Sequence, residues 1–239
     1  LVHASNVTGA LQPIQEAGRL VSGHDALFLV DAAQSLGHLP MSVDQLGVDL
    51  LAAPGHKGLL GPLGTGMLYI RGGVESQLES FRQGGTGTHS DLDIQPDDLP
   101  DKYEPGNHNV PGICGLRAGI EYLQQRGMAD VRQHEQQLTD RLIDGLTSIP
   151  GIVIHGPRSG EKRVGVVSVT HPRFSPNDLA TRLDAQFRVQ CRAGIHCAPH
   201  MHEALGTTAG GGTLRFSLGP FTTSEEIEQA IRSVQAVVK

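Results

Sequence analysis

Three cysteines, Cys114, Cys191 and Cys197, are too few and too odd in number for the disulfide framework of a small secreted protein, so a reducing cytoplasm is the expected compartment. No signal-peptide pattern is visible either. The apolar runs are short: Ala26-Leu27-Phe28-Leu29-Val30 is strand-sized, which argues against a helical membrane span. Basic charge is scarce as well. Lys and Arg number 19 against 25 Asp and Glu, a net charge of -6 that leaves no field for nucleic acid and favours small-molecule chemistry. A Walker loop is missing, because Gly55-His56-Lys57 has neither its glycine spacing nor the Ser or Thr after the lysine. The chain also lacks a start methionine: Leu1 to Asn6 reads as a strand end followed by a turn, so the sequence is expected to begin inside a fold.

What is present is an alternating chain of 239 residues, long enough to bury a real core. Its 31 glycines cluster, marking turns where the backbone approaches a ligand or takes positive φ. Residues 11–22 have the helical period, and Leu27 to Val30 is a strand ending at Asp31, expected to be parallel and buried on both faces. A short helix over Val43 to Leu46 follows, then strands over Leu50 to Ala53 and Gly66 to Ile70. Residues 84–109 read as a long loop, including Gly84-Gly85-Thr86-Gly87-Thr88-His89-Ser90. Helices are expected over Ile113 to Gln125 and Met128 to Ile149, the second stopped by Pro150-Gly151. Beyond them come strands near Val153, Val164 to Thr170, Val189 and Leu214 to Leu218, and helices over Asn177 to Ala185 and Ser224 to Val238. This order predicts an α/β fold: a large domain over 1–110, bridging helices over 111–150 and a small α+β domain over 151–239.

The chemistry-bearing residues sit at punctuated positions. Asp31 closes an apolar strand, and Lys57 lies 26 positions later in a glycine-rich turn. That pairing suits pyridoxal 5'-phosphate, with the lysine closing a Schiff base and the carboxylate keeping the pyridine nitrogen protonated. Farther on, Arg192-Ala193-Gly194-Ile195-His196-Cys197 places a thiol beside an arginine and a histidine, which could favour a nucleophilic thiolate. Cys114 and Cys191 read instead as small buried hydrophobes. A rival reading is a metal site, since His196-Cys197-x-x-His200-x-His202 packs four ligand types into seven residues; it lacks a matching second half.

Five segments in order resemble the class V aminotransferase superfamily, and within it the cysteine desulfurases and selenocysteine lyases. They are His3-Ala4-Ser5-Asn6-Val7-Thr8-Gly9, Asp31-Ala32-Ala33-Gln34, Gly55-His56-Lys57, Tyr103-Glu104-Pro105-Gly106-Asn107-His108-Asn109 and Arg192-Ala193-Gly194-Ile195-His196-Cys197. The resemblance implies part of a fold-type I transferase large domain followed by the small domain, in a homodimer. It implies that Lys57 carries the cofactor and moves the Cα proton, Asp31 pairs with the pyridinium nitrogen, Gln34 bonds the phenolic oxygen and His56 contacts the phosphate. Asn6 would sit by substrate and ring, Arg215 would clamp the substrate α-carboxylate, and Cys197 would take the sulfur, supported by Arg192 and His196. The implied reaction converts L-cysteine to L-alanine with a persulfide on Cys197, which a sulfur-acceptor protein could relieve. L-selenocysteine is an alternative substrate, another class V reaction a further one, and an inactive or partner-dependent fragment another. The pattern departs at Pro54, where Ser or Thr is usual, and at Asn107, where threonine is usual. No counterpart of the family's N-terminal half, with its phosphate turn and ring-stacking side chain, is found.

Overall fold

The computed structural model describes residues 1–87, 89–158 and 160–239, without the side chain of Glu161; Thr88, within the glycine-rich stretch 84–90, lies outside the described residues. Two sheets organise the chain. The first contains β1 (Leu29–Asp31), β2 (Leu50–Pro54) and β3 (Gly66–Ile70), with β1 parallel to β2 and β3 antiparallel to it. The opening residues run alongside β1, since Val2 bridges Asp31 in parallel and His3 N donates to Asp31 O at 2.9 Å. Helices α1 (Ile14–Val21) and α2 (Val43–Leu46) cover one face. Pro13 precedes the first turn, so α1 starts later than the apolar period at 11 suggests.

The covered face packs Ile14 of α1 with Val30 and Leu51. Leu29, on the opposite face of β1, is 44% exposed, which corrects the expectation of burial on both faces. The physical reason is that both short helices sit on the Val30–Leu51 side. Gly18 is required there, because a Cβ would come within 2.2 Å of Leu46 O.

The second sheet has the order β4 (Val153–His155), β5 (Val166–Thr170), β7 (Thr213–Ser217), β6 (Arg192–Gly194), with every pairing antiparallel. Three helices build its core: α4 (Met128–Thr147), α5 (Pro176–Phe187) and α7 (Ser224–Val238), through Leu142, Leu146, Leu179, Leu183 and Val234 against Val167, Val169 and Leu214. Helix α7 begins at a capping box in which the Thr223 hydroxyl accepts from Glu226 N and Glu226 returns a bond to Thr223 N. A strand centred on Val189 does not form. Val189 packs against the core instead, and pairing begins at Arg192.

Helix α3 (Val110–Arg126) closes over Leu59 through Leu116 and Leu123. Its cap is Asn109, whose Oδ1 accepts from Gly112 N. Helix α4 reaches both layers: Val131 joins the Leu59 cluster, and Leu138 to Leu146 join the core of the second sheet. The short α6 (Pro199–Ala204) follows the cysteine loop and was not legible from the periodicity.

Candidate active site

Because β1, β2 and the opening segment all run the same way, three turns leave the first sheet at one carboxyl edge, where ligands of open α/β sheets collect. The first turn carries Asn6, the second Asp31 to Gln34, and the third His56 and Lys57. Asp31 Oδ1 accepts from Ala33 N at 2.8 Å, which anchors the carboxylate at the strand end. Gln34 is half-buried, and no hydrogen bond of its side chain occurs among the described residues. His56 and Lys57 are exposed in the turn 55–59. Around them the backbone is tightly closed: Gly61 N donates to Gly55 O at 2.7 Å, and Leu60 N to Lys57 O at 3.0 Å.

The second sheet delivers the remaining residues. Asn6 Nδ2 donates to His196 O at 2.6 Å, and Arg215 Nη1 donates to Asn6 O at 2.9 Å. Arg192 and Arg215 are partners in register on β6 and β7, and Arg192 Nη2 stands 3.6 Å from Cys197 Sγ. Asn6, Arg192, His196, Cys197 and Arg215 thus form one connected group. Cys197 is exposed, with φ of 60°, and His196 before it has φ of 53°. Two consecutive left-handed residues that are not glycine need outside support. Asn6 supplies it to the His196 carbonyl, and Thr213 O and Oγ1, both 3.0 Å from His196 Nε2, hold the ring.

Burial, with the Arg215 charge second, pushes the His196 imidazole down to about 4. At neutral pH the ring is uncharged and faces Thr213, so it anchors the loop and lends no positive charge to the thiol; Arg192 is the cation at Cys197. Burial and the Arg192 charge also lower Arg215. Its Nε is buried with no partner among the described residues, a donor left for an anionic group such as a carboxylate.

Cys191 behaves as a half-buried hydrophobe, its thiol pushed up to about 12 by burial and Asp184. Cys114 does not: it is exposed near the start of α3, a correction to its expected burial. The metal reading finds no geometry, since among the described residues no group of three or more His, Cys, Asp or Glu could hold an ion. His200 points outward to Glu203, and His202 is buried against Thr207.

Arg163 was missed from the sequence, where one arginine before an apolar run carries no signal. It is fully buried, and its guanidinium donates to the carbonyls of Thr8 at 2.7 Å, Val166 at 2.5 Å and Pro157. Ser168 Oγ donates to Val7 O at 2.6 Å. Together they clamp the Asn6 turn onto β5. Burial lowers Arg163 to about 10, which leaves it charged at neutral pH.

Comparison with known proteins adds kinship to this geometry. The profile of the family described as aminotransferase class-V matches residues 1–230. A probable cysteine desulfurase of Methanothermobacter thermautotrophicus is 40% identical over 235 residues, covering 95% of this chain and 57% of the relative. One from Pyrococcus abyssi is 36% identical over 240 residues, covering 99% and 58%. Among solved structures, the apo cysteine desulfurase of Thermococcus onnurineus NA1 superposes with a TM-score of 0.90 at 34% identity, over 99% of this chain and 58% of that one. The Escherichia coli cysteine desulfurase CsdA gives 0.86 at 27% identity, with the same coverage. The chain therefore spans a little under three fifths of the relatives it matches. No described helix is long and apolar enough to cross a membrane.

Proposed function

This chain belongs to the aminotransferase class-V family, and from that premise we propose that it carries the lysine and cysteine centres of a pyridoxal-phosphate-dependent cysteine desulfurase. The donor set suits that cofactor and an amino-acid substrate: a carboxylate at a strand end, an exposed lysine in the neighbouring turn, and a guanidinium Nε with no partner among the described residues. When bound, pyridoxal phosphate supplies an electron sink for carbon chemistry next to an amine. Lys57 Nζ would hold it covalently and move the substrate Cα proton. Asp31 would face the pyridinium nitrogen, Gln34 the phenolic oxygen and His56 the phosphate, with Asn6 beside the ring.

Arg215 would fix the substrate α-carboxylate through its free Nε, and Cys197 would attack the substrate sulfur. The S–S bond forms, the C–S bond breaks with its electron pair going to carbon, and that carbon takes a proton. L-alanine leaves and a persulfide stays on Cys197. The observation that carries this reading is the linkage Cys197–Arg192 and His196–Asn6–Arg215, which joins thiol, loop anchor and carboxylate site in one group. The division at 1–110, 111–150 and 151–239, a homodimer, a sulfur-acceptor protein and a cytoplasmic setting belong to the same proposal.

The test mixes the chain with pyridoxal phosphate, follows the visible band before and after borohydride, and maps the fixed residue. Covalent label on Lys57 is expected, and Lys57→Ala should abolish it without unfolding the chain, because the side chain is exposed. A band unchanged in Lys57→Ala would sink the assignment. L-cysteine should then add one sulfur atom to Cys197 by mass, and not in Cys197→Ser. A parallel assay with L-selenocysteine separates the two substrates.

A further inference from the structure

We propose that the buried pair His38–Glu135 is the positioning element of the Lys57 turn, holding it at a set place relative to the helix that carries the second sheet. This rests on the reading of Lys57 as the cofactor lysine. His38 Nδ1 lies 3.0 Å from both Glu135 Oε1 and Oε2, and the Glu135 side chain is 0% exposed. Among the described residues its carboxylate has no other hydrogen-bond partner. The opposite side of the imidazole rests on Gly58, the residue after Lys57: a Cβ on Gly58 would come within 2.7 Å of His38 Cδ2 and 2.8 Å of Nε2. Gly37, with φ of 87°, packs equally close, its Cβ position lying 2.2 Å from Gly58 C and O.

His38 also closes the turn that begins at Asp31, since His38 N donates to Ser35 O at 3.0 Å. One imidazole therefore touches the loops of Asp31 and Lys57 together, and one carboxylate fastens it to α4. Helix α4 continues from Glu135 into the core under β7, the strand of Arg215. A buried carboxylate is costly unless paired, and an apolar pair of the same volume would serve stability at least as well. What the hydrogen-bonded pair adds is direction: it sets the angle of the ring against Gly58, which dispersion contacts alone would leave loose.

The experiment uses the full chain with His38→Gln, Glu135→Gln and the double variant. Amide hydrogen exchange is read at Leu60 and Gly61, which close the Lys57 turn, and at Leu214 and Phe216 in β7. Each single change should speed the turn amides about tenfold, the double no more than the worse single, with β7 unchanged. No acceleration, or equal acceleration in β7, overturns the proposal. If Glu135→Gln does not fold, His38→Gln, at the partly exposed end of the pair, decides alone.

A second arm adds pyridoxal phosphate and borohydride. The variants should need about tenfold more cofactor for half-loading of Lys57, a loss of ~1.4 kcal/mol, and show a displaced visible maximum. Loading equal to that of the unaltered chain overturns the link to the lysine. If the unaltered chain does not load Lys57, the functional reading fails, while the exchange arm still decides whether the pair holds the turn.

Discussion

The first four residues of β5 are buried, whereas the first three of β3 are exposed. The second sheet has three helices on one face and the clamped Asn6 turn on the other, so its central strand β5 is covered on both sides. Among the described residues the first sheet has helices on one side only, with Leu29, Met67 and Leu68 at 40–48% exposure. The site inherits this contrast. Asn6, His196 and Arg215 are tied to one another by hydrogen bonds from side chains to backbone carbonyls, and Cys197 is held by the Arg192 guanidinium. The Lys57 turn depends on glycine backbones in contact and on one imidazole–carboxylate pair. A site can thus combine a half that keeps its shape through polar bonds with a half that keeps it through close packing, and the two should fail differently.

The severest test of the polar half is Arg163→Met, which strands three carbonyls, those of Thr8 and Val166 buried. We expect a loss of about 3 kcal/mol or more in urea denaturation. The thiol at Cys197 should also label faster, as the Asn6 turn loosens; full stability would show that the clamp is dispensable. For the packed half, Gly37→Ala places a Cβ 2.2 Å from the Gly58 backbone at a φ of 87°. It should cost about 2 kcal/mol and impair loading of Lys57 while leaving Cys197 labelling unchanged. Equal damage at both ends would erase the distinction between the halves.

The pH response is expected to come from the polar half. His196 is pushed down to about 4 from its ordinary 6.5, so between these values the unfolded chain binds more protons. Its contribution is fully present above pH 6.5, is lost progressively as pH falls towards 4, and levels off below. His3, His155, His171 and His202 are lowered too, chiefly by burial, and reinforce the slope. His196→Gln should remove about one proton from the uptake on unfolding near pH 5; an unchanged slope would mean that the ring is not desolvated. The smallest effect is expected for Thr223→Ala, which breaks the α7 capping box. It should cost about 1 kcal/mol and leave the Lys57 turn untouched, as measured by cofactor loading.

Much of this was legible along the chain. Helix α7 starts at Ser224 as its cap predicts, β3 spans Gly66 to Ile70, and the turn between β2 and β3 holds Lys57 where the glycines put it. Parallel strands forced Asp31 and Lys57 to one edge once each was read at a strand end. Less visible were contacts between distant segments. Arg163 looks ordinary in sequence, and only folding puts its buried guanidinium under the Thr8 carbonyl 155 residues away. The exposure of Leu29 likewise depends on where helices land, which periodicity does not report.

Local patterns by themselves determined the alternation of elements and the family, because motif spacing and periodicity are properties of neighbouring residues. Tertiary structure alone decided that His196 is neutral and not a cation, that Cys114 is exposed, that His200 and His202 turn to Glu203 and Thr207, and that Glu135 meets His38. Desolvation, solvent access and hydrogen-bond geometry depend on which distant atoms surround a group, and those neighbours exist only once the chain has folded.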